Sequence, residues 1–249
     1  KDDIGRVIQG DAQVRTEDIR LVENYVRVTG KVYFRILCVT ASADPKPVVL
    51  EGKIPFEEMV YVENGEGDSF FLQNVRTEFT TSLVHSRKLS LRVMVEMEIA
   101  RERLEDEETT VDVESEVPVY RKKQKINLLK LSVSKKDTYR IKETFTLPGT
   151  KESIGQLLIS DVAGRKLDLR LGEDEILIRG ELLVFCMYLS ADEKTDWIEQ
   201  SIPYEGRISC EGISENMYYS VHHTLEDTLV DVRLDEDGEM RVLGIEATL

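Results

Sequence analysis

The chain is poor in the residues that carry most catalytic and metal chemistry. Its 249 residues include three histidines, three cysteines and one tryptophan. Cys38, Cys186 and Cys210 are odd in number and far apart, which argues against a disulfide framework or a zinc pattern and fits a reducing compartment. Apolar runs are short. One of the longest, ELLVFCMYLS, is about half of what a membrane-spanning helix needs, so no membrane insertion is expected. No charged-then-apolar signal opens the sequence, and it starts on Lys1, so it reads as a piece of a longer protein. Basic residues are outnumbered 33 to 48, for a net charge of −15. Such a chain repels phosphate backbones, and nucleic acid is not an expected partner. Gly-rich phosphate loops and a nucleophile elbow are missing as well. The residues therefore point away from an enzyme and call for no cofactor.

What the chain does have is itself, twice. At an offset of 150, Ile4-Gly5 falls on Ile154-Gly155, Asp11 on Asp161, and Arg20-Leu21 on Arg170-Leu171. The match is ungapped to Ala41 and Ala191, after which the offset becomes 148. Ile54-Pro55-Phe56-Glu57 then meets Ile202-Pro203-Tyr204-Glu205, and Phe70-Phe71 meets Tyr218-Tyr219. At the far end, LSLRVMVEM (89–97) corresponds to RVLGIEATL (241–249). A match that keeps register this long marks a tandem duplication.

Each copy reads as β-structure. Val26, Val28, Val32, Phe34, Ile36 and Cys38 alternate with mostly polar neighbours, as in a strand with one buried face. Ile176 to Tyr188 repeats the stripe, with apolar residues on the second face as well. Gly30 and Gly180 hold the same place in both strands, and a kink is expected there. Proline has no N–H for a ladder, so Pro55 and Pro203 mark strand starts or edges, with Phe56 and Tyr204 turned into the core. TTSLVHSRKLSLRVMVEMEIA and LVDVRLDEDGEMRVLGIEATL read as hairpins, the second about an Asp-Gly turn. The spacing of Ile4, Val7 and Ile8, and of Ile154, Leu157 and Leu158, predicts two short helices. The fold class is all-β with short helices, as two duplicated β-sandwich-like domains. A strand-like run, TYRIKETFTLPG, precedes the second copy, and no matching segment precedes Ile4, so the leading strand of the first copy is expected either to have been lost at a cut N-terminus or to come from elsewhere.

The domains are expected at 1–116 and 137–249, separated by a basic connector at 117–136. The first block carries 15 basic and 24 acidic residues, a net −9, and the last carries 11 and 24, a net −13. The connector, VPVYRKKQKINLLKLSVSKK, has seven basic residues and no acid. Its apolar residues predict that it docks on one domain. Arg121, Lys122, Lys123 and Lys125 are the candidate contacts for an anionic partner, against the plainer reading of charge compensation by the acidic domains. His222-His223 is the best metal candidate, but on a strand the two rings would point to opposite faces. Tyr218 and Tyr219, with Phe70 and Phe71, are the candidate aromatic platform.

The succession TYRIKETFTLPGTKESIGQLLISD, ILIRGELLVFCMYLSAD, SIPYEGRIS and a terminal hairpin resembles the SPOCS domain of SipL-like spore morphogenesis proteins, in two tandem copies. The matching positions are core and turn positions, so the resemblance carries over no functional residue. It implies a non-enzymatic scaffold of spore coat assembly in the mother-cell cytoplasm, at the forespore surface of a spore-forming bacterium. It also implies other coat morphogenesis proteins as partners. Contact with a SpoIVA-like ATPase is expected through a LysM module, and no LysM-like segment occurs in these residues. The alternative is a carbohydrate- or peptidoglycan-binding β-sandwich of the spore or cell envelope.

Overall fold

The computed structural model describes residues 3–249, and among these every regular element is a strand. The first copy contains β1 (Ile4–Val22), β2 (Tyr25–Thr40), β3 (Pro47–Tyr61), β4 (Ser69–His85) and β5 (Lys88–Glu102). The second contains β6 (Arg140–Thr146), β7 (Ile154–Leu171), β8 (Glu175–Ser190), β9 (Thr195–Ser209), β10 (Glu226–Leu234) and β11 (Met240–Thr248). They form four antiparallel sheets ordered β1-β2-β3, β4-β5, β7-β8-β9 and β10-β11-β6. In the second copy, residues from both of its sheets bury one common core that includes Ile141, Leu182, Tyr188, Tyr204, Val230 and Leu243. That is a sandwich in which the inward residues of each strand alternate with outward ones.

The two predicted helices are strands. β1 slips register on β2 between Ile4 and Arg6 and again between Val7 and Gln9. β7 slips on β8 between Ile154 and Gln156 and between Leu157 and Ile159. Each slip is a bulge that inserts one residue and moves the next inward side chain from i+2 to i+3. Two bulges in a row thus imitate a helical spacing. Their recurrence 150 residues apart is structural proof of the duplication. The turns agree, since Ala41 N–H donates to the Asp3 carbonyl and Ala191 N–H donates to that of Ser153.

The expected kink at Gly30 and Gly180 takes another form. β2 and β8 run through these glycines with unbroken pairing to β3 and β9. A further bulge lies in the neighbouring strand, between Thr16 and Asp18 and between Arg165 and Asp168. The glycines sit where an aromatic ring covers the backbone. Gly30 pairs with Phe56 and Gly180 with Tyr204. A Cβ on Gly30 would lie 2.6 Å from the Phe56 ring and closer still to the Arg15 carbonyl oxygen, and one on Gly180 would lie 2.5 Å from the Tyr204 hydroxyl. The repeated Ile-Pro-aromatic-Glu is thus a sheet-edge device. β3 and β9 end their sheets, Pro removes a donor from the free edge, and the ring fills the place of a missing side chain. The following glutamate reaches across the strand, Glu57 to Arg27 at 2.9 Å and Glu205 to Arg179 at 3.4 Å.

Within the described residues the two copies differ at the outer edge of their second sheet. In the second, β6 pairs with β11 from Arg140–Thr248 to Thr146–Val242, and Tyr139 and Leu249 exchange backbone hydrogen bonds. Leu243, Ile245 and Ala247 beneath it are buried. In the first, no strand among the described residues pairs with the outer edge of β5, and the equivalent Leu91, Val93 and Val95 are only half-buried. The Pro motif shows the same contrast. Ile202 and Tyr204 are buried, whereas Ile54 is exposed and Phe56 half-buried, so the expectation for the ring holds fully in the second copy alone.

Candidate functional site

One open feature of the described residues is the flank of the first copy. Between the two sheets lies a cleft of about 330 Å³, lined among others by Val26, Val60, Tyr61, Phe70 and Ile99. The equivalents of Val60–Glu63 in the second copy are Ile208–Glu211. There the incoming chain covers them. Lys135 Nζ donates to the Ser209 carbonyl, Val133 packs near Gly212, and the Tyr139 hydroxyl donates to the Glu205 carbonyl at 2.8 Å. The cleft and the β5 edge correspond to the place where the second copy seats its leading strand, and the counterpart of that strand, at the offset of 150, falls before Lys1.

One wall of this cleft is held by charge. The Asp68 carboxylate is nearly covered by the guanidinium groups of Arg103, at 2.9 Å, and Arg101. Both arginines also donate to the Asn64 carbonyl. The hydrogen bond from Arg103, with that from Arg101, holds the Asp68 carboxyl below the usual aspartate range. Loop 62–68 is thereby clamped to the end of β5, with Asn64 in a left-handed conformation (φ 50°). The cluster fixes the loop as one wall of the cleft.

The connector does not dock as expected. From 103 to 138 the chain has no regular structure, and Ile126, Leu128, Leu129 and Leu131 are exposed. Only its end packs, through Val133 and Lys135. Of the candidate basic residues, Arg121 and Lys123 both pair with Asp112, at 2.6 and 2.7 Å. These pairs and the Val113 N–H, with Lys123 first, hold the Asp112 carboxyl below its ordinary value. Lys122 and Lys125 face solvent.

Tyr218 and Tyr219 lie on an irregular segment between β9 and β10, where the first copy already has β4. Tyr218 is 88% exposed, while the Tyr219 hydroxyl donates to the Leu169 carbonyl at 2.7 Å. Phe70 lines the cleft, and Phe71 is half-buried against His222, ring centroids 4.5 Å apart. The four aromatics thus split between different surroundings. His222 and His223 lie on the same irregular segment, not on a strand, and His222 is engaged with Phe71 in the other copy. Among the described residues no three His, Cys, Asp or Glu side chains gather as a cation site requires. Sequence reading passed over Trp197. It is 57% exposed on β9, stacked on Phe185 at 6.1 Å, with Lys151 Nζ at 5.8 Å from its ring. A single tryptophan beside an outward-facing phenylalanine one strand away was the available signal.

The cysteines are buried and free. Burial pushes the Cys186 thiol up to about 11 and raises that of Cys38. An unfolded chain ionises these thiols from about pH 9. The Cys186 contribution to stability is therefore complete below pH 9 and is lost as pH rises toward 11. The melting temperature is expected to fall across that window, and Cys186 to resist alkylation at pH 8 until the chain is unfolded. Ready labelling of the native protein would contradict this burial.

No curated protein and no solved structure matches the chain. The model of the SipL SPOCS domain matches it twice, over residues 3–82 and 153–233, the first match spanning β1–β3 and most of β4, the second β7–β9 and most of β10. With both copies matched, together covering well over half its length, the chain belongs to the SipL SPOCS-domain family.

Proposed function

We infer that the protein is a non-enzymatic scaffold of spore coat assembly that works through protein–protein contacts in the mother cell. Membership of the SPOCS family ties it to the spore coat of a spore-forming bacterium. The observation that supports scaffolding is the duplication itself, two β-sheet units of one family carried on a single chain. The domain division at 1–116, 117–136 and 137–249 fits this reading as two binding bodies on one chain, with other coat morphogenesis proteins as partners. A fluorescent fusion expressed in a sporulating host is expected to ring the forespore from the mother-cell side. Diffuse fluorescence throughout coat assembly would count against the reading. Exposed Trp197, stacked on Phe185, favours the carbohydrate-binding alternative, and retention on insoluble peptidoglycan that Trp197→Ala removes would move the assignment there.

A further inference from the structure

The connector combines two properties that a simple tether does not need. It is basic throughout, and its large apolar side chains stand in water. Tyr120 is fully exposed, Leu128 and Leu129 are 77% and 80% exposed, and Ile126 and Leu131 are exposed as well. Their charged neighbours are mostly free. Arg121 and Lys123 share Asp112, and Lys135 is engaged with Asp137 and the Ser209 carbonyl. Lys122, Lys125 and Lys130 make no ion pair among the described residues.

The order of these residues narrows the kind of surface they fit. Drawn out as a strand, the segment would put Ile126 and Leu128 on one face and Leu129 and Leu131 on the other. Coiled as a helix, at roughly 100° per residue, it would send Ile126 and Leu128 to nearly opposite sides, and Leu129 and Leu131 likewise. Lysines fall among the apolar residues in either form. Neither conformation presents the single apolar face that a groove on a protein selects. A bilayer interface makes no such demand. Its headgroup layer is fluid, receiving apolar side chains from an irregular segment while anionic headgroups take the lysines.

The rest of the chain is strongly acidic, so only a segment that stands clear of it can approach an anionic surface. From 103 to 138 the chain has no regular structure. Lys122 lies eleven residues before Val133, where the connector is seated near Gly212, a span of up to about 38 Å. The Debye length at physiological salt is about 8 Å. The connector can therefore touch a surface while most of the acidic charge stays screened from it. The stretch just before it, 105–116, has seven acidic residues and no basic one. Through Asp112 it already holds two of the connector's cations.

We propose that residues 120–131 are a peripheral anchor for anionic lipid bilayers. The lysines bind the headgroups, the aliphatic side chains enter the boundary between headgroups and acyl chains, and Asp112 competes with the lipid for Arg121 and Lys123. Charge and apolar burial are each insufficient alone, so attachment is reversible and sensitive to salt. This activity stands apart from the coat role and is read without it.

Flotation of the full chain with vesicles of equal parts phosphatidylglycerol and phosphatidylcholine is expected to carry the protein upward at low salt and to release it as salt rises. Vesicles of phosphatidylcholine alone should leave it behind. Replacing Lys122, Lys125 and Lys130 with glutamine should weaken binding roughly fivefold for each charge removed. Leu128→Ser with Leu129→Ser should weaken it about tenfold or more. Asp112→Asn should tighten it. All these side chains lie in an irregular, exposed stretch, so each variant is expected to fold as the parent does. No flotation with the anionic vesicles at low salt, equal flotation with the neutral ones, or indifference to the lysine substitutions would overturn the proposal. Binding to soluble polyglutamate as tight as to the vesicles, and unchanged by the leucine substitutions, would also overturn it and would point to an acidic protein partner instead.

Discussion

Ile141→Asp is expected to unfold the second copy and leave the first standing. Ile141 is 2% exposed near the start of β6, opposite Ala247, and belongs to the core shared by both sheets. The substitution removes a fully packed aliphatic side chain and places a carboxylate with no buried partner among Leu182-type neighbours. The combined cost is about 4–5 kcal/mol or more, comparable to the whole stability of an ordinary domain. The first copy has its own buried stripe, Val26, Val28, Val32, Ile36 and Cys38. It meets the second through peripheral contacts such as Arg15–Asp227 at 2.7 Å and Arg35–Ser160 at 2.9 Å. Surface pairs of this kind are individually worth about 0–1 kcal/mol. Hydrogen exchange should therefore lose its protection in β7–β9 and keep it in β1–β3. Loss in both would mean that the copies fold as one body, and loss in neither would mean that β6 is dispensable.

This asymmetry between the copies marks the boundary of what could be read from the residues. The duplication, the strand stripes and both hairpins were legible because each depends on local alternation or on a repeated string. The Asp235–Gly238 turn, with the Gly238 N–H donating to the Asp235 carbonyl and φ of 79° at Gly238, is where the Asp-Gly pair put it. The bulges were not legible. An inserted residue shifts the inward spacing from two to three, and Ile4-Val7 then looks like a helix face. Nor was the fate of the connector. Its apolar residues signal burial, but whether a partner surface is within reach depends on where Val133 is tied, which is a tertiary fact. The irregular stretch that carries Tyr218 and His222 aligned with β4 by sequence alone. Structurally the second copy starts its strand only at Glu226, against Ser69 in the first, so the platform inferred from aligned aromatics does not form.

The other large effect falls on the aromatic of the repeated motif, and its two occurrences should respond differently. Tyr204 is 6% exposed and lies over Gly180 in the covered sheet. Tyr204→Ala is expected to cost about 3–5 kcal/mol, as for other large core side chains. Phe56 covers Gly30 in the same way but on the open flank, where it is half-buried. Phe56→Ala should accordingly cost about 1–2 kcal/mol, in proportion to the smaller apolar area it removes from water. The ring and the glycine should also be energetically coupled. Gly180→Ala alone puts a methyl group 2.5 Å from the Tyr204 hydroxyl and 2.6 Å from Cζ, an overpacking worth about 1–3 kcal/mol. In the Tyr204→Ala background that collision is gone, and an alanine loses less backbone entropy in a strand than glycine does. The second substitution should then be neutral or mildly stabilising. Denaturant unfolding of the single and double variants gives the coupling directly. If the two costs simply add, the glycine is there for its backbone conformation alone, and the ring does not stand in for its missing side chain. A coupling of a kilocalorie or more would tie the Ile-Pro-aromatic-Glu string to Gly180 as one structural unit, which explains why the duplication keeps the string and the glycine together at both places.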